Sequence, residues 1–235
     1  MPPAESSPTQ HRQARFEAPP GAVGILLVRH GESAPAVEGA SFDLVDGHGD
    51  PALHDVGREQ AQRVADRLAG EPLRALYVTT LRRTGETAAP LAARVGLAPV
   101  VEADLREVLL GEWEGGLLRQ RVREADPIAL RMVAEERWDV IPGAESTAAL
   151  NARVTHAVTA IAARHPDQLV AVFTHGGVIA AVLSIATGSR PFAFTGADNA
   201  SISHLVVTAD RWVLRRFNDT SHLSPGFSVA ARPPT

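Results

Sequence analysis

Gly24-Ile25-Leu26-Leu27-Val28-Arg29-His30-Gly31 is an unbroken apolar run that stops at an arginine, a histidine and a glycine. With no polar alternation it reads as a strand over 24–28 buried on both faces, the kind that parallel sheets use. The pattern returns at Leu169–Thr174, which runs into His175-Gly176-Gly177. Further apolar runs at 75–78, 202–207 and 212–217 read as strands. Between them lie segments of helical period. Over 57–69, Ala61, Val64, Ala65 and Leu68 fall on one face; over 82–95 so do Ala88, Leu91, Ala92 and Val95, with Gly96 where a C-cap belongs. Ser146 is an N-cap for a long helix carrying Leu150, Val154, Val158 and Ile161 and stopping before Pro166, and 176–186 is the helix behind the His175 strand. Strands alternating with helices predict an α/β fold in three layers (α/β/α), with a mostly parallel sheet covered on both faces.

At 235 residues and 45% hydrophobic, the chain buries roughly 70% of its unfolded surface and needs no staple to fold. It has no cysteine, which excludes thiol nucleophiles, disulfides and thiolate metal sites. All 23 basic residues are arginine, so a Schiff-base lysine and a P-loop lysine are excluded as well. Any cation that meets a substrate must be a guanidinium or an imidazolium. The formal charge of −4 leaves no footprint for nucleic acid. No stretch nears the ~20 apolar residues of a bilayer span, and the first apolar run is too short and late for a signal segment. A cytoplasmic protein without membrane or nucleic-acid partners is expected. Residues 1–20, with Pro2, Pro3, Pro8, Pro19 and Pro20, and 224–235 read as a flexible leader and tail around one domain at 21–223. Within it, 111–142 is rich in Arg, Glu and Trp and reads as a lid-like insertion.

Ligands of open parallel sheets bind at the carboxyl ends of strands, so His30 and His175 are expected to face one crevice. Each following glycine is expected to turn the chain and to bring a helix N-terminus beside its histidine, which makes an anion site. The alternative is two unrelated histidines with local hydrogen bonds.

These residues carry a family likeness. Leu27-Val28-Arg29-His30-Gly31-Glu32-Ser33 resembles the signature of the histidine phosphatase superfamily, the phosphoglycerate mutase-like fold. Leu53, Gly57, Gln60 and Ala61 resemble its first helix, and Thr79-Thr80-Leu81-Arg82-Arg83-Thr84-Gly85-Glu86-Thr87-Ala88 its arginine motif, with Thr79 and Thr84 in place of Ser and Ala. Leu105-Arg106-Glu107 before Gly111-Glu112-Trp113-Glu114-Gly115 is similar to its acid-bearing loop. Pro142-Gly143-Ala144-Glu145-Ser146 with Arg153, then Thr174-His175-Gly176-Gly177, Asn199-Ala200-Ser201 and 218–223 complete the order, over about residues 23 to 223.

The resemblance implies a metal-independent phosphomonoesterase with no cofactor, acting on a small phosphorylated substrate. His30 would be the nucleophile and Glu107 the general acid; Arg29, Arg83 and His175 would hold the phosphate, His175 also serving catalysis. Spacing to Thr87-Ala88 selects Arg83 over Arg82, which is expected to face solvent or pair with an acid. Glu107 ranks above Glu32, Glu112 and Glu114, with Glu32 expected to orient a neighbour at a helix start. His48, between Asp46-Gly47 and Gly49-Asp50, reads as part of a turn, with a metal site as the rival. Trp113 and Trp138 either line the pocket or anchor the insertion. Arg119, Arg121, Arg123, Arg131 and Arg137 read as a solvated charged face; the rival is contact with a second anionic group of the substrate. His54, His156, His165, His204 and His222 read as structural or exposed. Two other functions stay open: a phosphoglycerate mutase, and a non-catalytic member that binds a phosphorylated ligand or protein. Against the mutase stand Thr174 and Gly176-Gly177, where mutases of the family carry an Asn and a Leu-Arg, and the missing Trp-Asn after the Arg-His-Gly-Glu segment.

Overall fold

The computed structural model describes residues 13–224 and Gly226. Of the expected leader, residues 1–12 lie outside the described residues, as do 225 and 227–235 of the expected tail. In chain order the elements are β1 (Val23–Arg29), β2 (Leu44–Val45), β3 (His48–Gly49), α1 (Asp55–Leu68), β4 (Leu73–Val78), α2 (Arg82–Val95) and β5 (Val100–Val101). There follow α3 (Leu117–Arg123), α4 (Pro127–Glu135), α5 (Thr147–Arg164), β6 (Leu169–Thr174), α6 (Gly176–Thr187), β7 (Ile202–Val207) and β8 (Trp212–Asp219).

Six strands form one sheet in the order β5-β4-β6-β1-β7-β8. The β5-β4, β4-β6 and β6-β1 pairs are parallel, and β7 and β8 extend the sheet antiparallel. Strand β1 sits in the interior, and its pleat explains why it is apolar on both sides. Val23, Ile25 and Leu27 pack toward Val154, Val158 and Ile161 of α5 and Val178 and Val182 of α6. Leu26 and Val28 pack toward Val64 and Leu68 of α1 and Ala88 and Leu91 of α2. These are the three expected layers.

The helix ends follow local chemistry. Gly96 closes α2 at φ 69°, a left-handed conformation that glycine takes without strain. The Ser146 hydroxyl accepts from the Ala149 N–H at 3.2 Å to open α5. Helix α1 starts at Asp55, two residues before the apolar stripe predicts, and Asp55 and Arg58 pair across its first turn at 2.8 Å. The insertion resolves into α3, α4 and one-turn helices around a small apolar cluster of Trp113, Ala129, Met132, Val140 and Ile141. Among the described residues no helix is long and apolar enough to cross a membrane.

Candidate active site

The register of the central strands brings the two histidines together. Arg29 of β1 stands opposite Thr174 of β6, so the next residue on each strand is a histidine at the same height, and the His30 N–H donates to the Thr174 carbonyl at 2.9 Å. The imidazoles face each other with centroids 5.2 Å apart. His30 Nδ1 lies 2.8 Å from the Gly31 carbonyl. A carbonyl only accepts, so Nδ1 carries the proton and the lone pair is on Nε2. The Asn199 amide and the Ala200 N–H both donate to the His30 carbonyl and fix the backbone there. His175 is fully buried; Nε2 lies 3.1 Å from the Thr79 hydroxyl, and Nδ1 has no partner among the described residues.

One expectation needs correction. His175 does cap a helix, since α6 begins at Gly176. No helix begins after His30: the chain runs on through a loop and the β2-β3 hairpin, and α1 starts only at Asp55. Gly31 is required for another reason. A Cβ there would come within 2.5 Å of the Gly57 carbonyl, and a Cβ on Gly57 would come within 2.0 Å of the Glu32 carbonyl. Two backbones cross with no room for side chains. Glu32 lies against the first turn of α1: its carbonyl accepts from the N–H of the N-cap His54 at 2.9 Å and its N–H donates to the Gln60 side chain, while its own side chain is exposed.

Arg29 and Arg83 both line the cleft beside His30. Arg83 is only 6% exposed and donates to the Gly49 carbonyl at 2.9 Å, whereas neighbouring Arg82 is over half exposed and pairs with Glu86. The helical phase of α2 makes this separation between adjacent residues. Glu107 follows the one-turn helix Ala103–Leu105, and its carboxylate accepts from the Val108 N–H at 3.0 Å. Its loop is clamped by Arg153, which donates to the carbonyls of Asp104, Arg106 and Glu107 and pairs with Glu145 at 2.7 Å. Gly177 lies against the acid: a Cβ there would sit 2.7 Å from Glu107 Oε1. Of the other carboxylates, Glu112 is exposed and Glu114 accepts from the N–H groups of Leu110 and Gly49.

The cleft holds about 120 Å³ and is walled by Phe42, Pro51, Val108, Leu110, Leu118 and the two tryptophans. Trp113 and Trp138 do both things open to them, lining the cleft and packing in the insertion's own cluster. The arginines of the insertion divide. Arg121, Arg131 and Arg137 pair with acids on the outside and Arg123 is exposed, as a solvated face requires. Arg119 departs from that expectation. It lines the cleft, donates to the Ala34 carbonyl and the Ser33 hydroxyl at 2.8 and 2.7 Å, and lies 5.6 Å from the Phe42 ring centre. Helix α3 turns it inward while its neighbours stay wet. His48 also departs from a plain turn: its ring is 8% exposed, lines the cleft and reaches the Asp46 and Glu107 carbonyls. The signal for both was thin. A histidine in a Gly-rich loop and one arginine among five alternate with charges as any surface does.

Burial, then the guanidiniums of Arg83 and Arg29, hold His30 well below the ordinary imidazole range; burial, Arg83 and His30 do the same to His175. Both rings are neutral at pH 7 when the cleft is empty. Burial pushes Arg83 down to about 10, and it stays charged. Among the described residues no three His, Asp or Glu side chains stand together as a metal cage.

Comparison with known proteins gives the site its context. The family model described as histidine phosphatase superfamily (branch 1) matches residues 25–220. The chain is 37% identical over 206 residues to phosphoglycerate mutase-like protein 4 of Arabidopsis thaliana, covering 85% of this chain and 86% of that one. It is 33% identical to the metal-independent phosphoserine phosphatase of the same plant, covering 89% of both. Among solved structures, mycobacterial glucosyl-3-phosphoglycerate phosphatase superposes with a TM-score of 0.69 at 28% identity, over 85% of this chain and all of that one.

Proposed function

The chain belongs to the histidine phosphatase superfamily, and on that premise we propose that it hydrolyses small phosphomonoesters without a metal, through a phosphohistidine on His30. One observation carries the assignment of roles: an imidazole whose Nδ1 faces a carbonyl, leaving the lone pair on Nε2, lies 5.2 Å from a second imidazole, with the guanidiniums of Arg29 and Arg83 and the Glu107 carboxyl group on the same cleft.

In the proposed cycle the substrate phosphate is held by Arg29, Arg83 and His175. Planar guanidiniums suit this because they meet phosphate oxygens in pairs and keep their charge. His175 is neutral before substrate arrives and supplies one N–H donor; the incoming dianion favours its second proton. His30 Nε2 gives its lone pair to phosphorus while the P–O ester bond breaks, and the departing oxygen takes a proton from Glu107. A water molecule then loses a proton to the Glu107 carboxylate and attacks phosphorus. The P–N bond breaks, its electron pair returns to Nε2, and inorganic phosphate leaves.

The cleft also bears on which ester is used. Beyond the phosphate group the wall is mostly apolar, with His48, Glu114, Thr195 and Arg119 as its polar side chains, and Arg119 is the guanidinium there. A phosphate ester with a carboxylate a few bonds away matches that layout, and phosphoserine, named for one relative, is such an ester. Water rather than a second phosphoglycerate position is the acceptor, because Gly176 and Gly177 stand where mutases of the family carry Leu-Arg.

Phosphate release from 4-nitrophenyl phosphate and from phosphoserine tests the reading. Activity is expected to persist in EDTA, to be retained for the most part by Arg82→Ala and to drop by about 100-fold or more in Arg83→Ala. Equal losses in the two arginine variants, or turnover of 3-phosphoglycerate to 2-phosphoglycerate faster than phosphate release, would overturn it.

A further inference from the structure

We propose that His48 is a positioning residue for the general acid, fixing where the Glu107 carboxyl stands relative to the phosphate grip; the inference rests on the acid role given to Glu107 above. His48 lies 59 residues before Glu107, on β3, yet its Nε2 lies 3.1 Å from the Glu107 backbone carbonyl and its Nδ1 3.0 Å from the Asp46 carbonyl. Carbonyls only accept, so it is the tautomer with the proton on Nε2 that donates to Glu107; the residue is 8% exposed and lines the cleft.

The hairpin that carries it is fastened on two sides. Toward the acid loop, the Asp46 carboxylate pairs with Arg106 at 2.6 Å, one residue before Glu107. Toward the phosphate grip, the Gly49 carbonyl accepts from Arg83 at 2.9 Å and the Gly49 N–H donates to Glu114 at 2.7 Å. His48 and Gly49 are adjacent, so one two-residue strand joins the backbone of the acid to the side chain of the phosphate ligand. Arg153, on α5, holds the acid loop from the far side, its contacts running to the Asp104, Arg106 and Glu107 carbonyls and to Glu145. His48 joins the backbone of Glu107 itself to the strand whose Gly49 carbonyl holds Arg83. Loss of that tie lets the carboxyl group wander from the leaving oxygen. A misplacement of about 1 Å can cost about 100-fold in rate.

The test uses leaving groups of similar size and very different basicity. Benzyl phosphate releases an alkoxide that needs a proton; 2,4-dinitrophenyl phosphate releases a stable phenolate that does not. The ratio kcat/KM reports steps only through ester cleavage, before water enters. For His48→Leu we expect kcat/KM on benzyl phosphate to fall by about 10- to 100-fold and on the dinitrophenyl ester by less than about 3-fold. His48→Gln, which keeps one donor, is expected to restore part of the benzyl phosphate rate and guards against a Leu variant that does not fold. Glu107→Gln on the same pair separates the two ideas. If it too is selective for benzyl phosphate, the acid role stands, and equal losses on both esters in the two His48 variants, or none, overturn the positioning role alone. If Glu107→Gln hits both esters alike, the acid role fails and takes this inference with it.

Discussion

Two segments of this chain share one local pattern, a buried strand that runs into histidine and glycine, and they end in different structures. After β6 the pattern does what its glycines suggest: His175 caps α6 and the helix leaves at once. After β1 no helix forms; Gly31 is there because its backbone crosses that of Gly57, and the chain goes on to build the hairpin wall. The rings differ likewise. His30 is held by a carbonyl next door, His175 by a threonine 96 residues away. A local motif therefore says where a side chain starts, and the neighbours it meets decide what its nitrogens are left to do.

The largest expected effect tests that division of labour. His30→Ala should lower kcat by about 10⁴-fold or more and abolish labelling of the protein from a ³²P-phosphate ester. His175→Ala should cost less, about 10²- to 10³-fold, and should still take up label slowly, since a lost phosphate donor leaves the nucleophile in place. If labelling also disappears in the His175 variant while its fold is intact, the two rings do not divide the work in this way. Next come the glycines. Thermal or urea unfolding of Gly31→Ala should show a loss of about 1–3 kcal/mol, because its new methyl meets backbone that cannot step aside. Gly176→Ala should lie within about 1 kcal/mol of the parent, its Cβ meeting the Arg29 side chain at an ordinary 3.4 Å. Matching losses would mean that both glycines serve close packing.

The smallest effect is a pH slope shared by the two rings. Both have folded-state pKa values below the unfolded value of about 6.5, so the unfolded chain binds more protons on acidification. Their contribution to stability is complete above about pH 6.5 and is lost as pH falls from there toward the folded values. Melting temperatures between pH 7 and pH 5 should therefore fall for the unliganded protein, and fall less for a His30→Gln, His175→Gln double variant. A slope unchanged in that variant would place the proton uptake elsewhere.

Much of this was legible in the residues, and the remainder was hidden for physical reasons. The bounds of α2, β6 and β7 follow from apolar runs and from Gly96, since burial and a left-handed cap leave marks within a few residues. Strands β2, β3 and β5 have two residues each, too few to show any alternation, and α3 buries none of its residues and so has no stripe to read. At the site, Arg29, His30, Arg83, Glu107 and His175 are brought together as the family likeness implied. His48 and Arg119 escaped because what they do depends on partners 59 and 86 residues away, the Glu107 carbonyl and the Ser33 hydroxyl, which no local pattern encodes.

The insertion's cluster of Trp113, Ala129, Met132, Val140 and Ile141 has a consequence for how the cleft wall can vary. That nucleus touches the α5 and α6 layer through Leu110 and Trp138 but has its own buried residues, so drift among those five need not disturb the strand ends. A wall that rests on its own nucleus can be rewritten while the strand ends keep their geometry. Chimeras that take this segment from a relative should acquire the donor's preferences and still form the same phosphorylated intermediate.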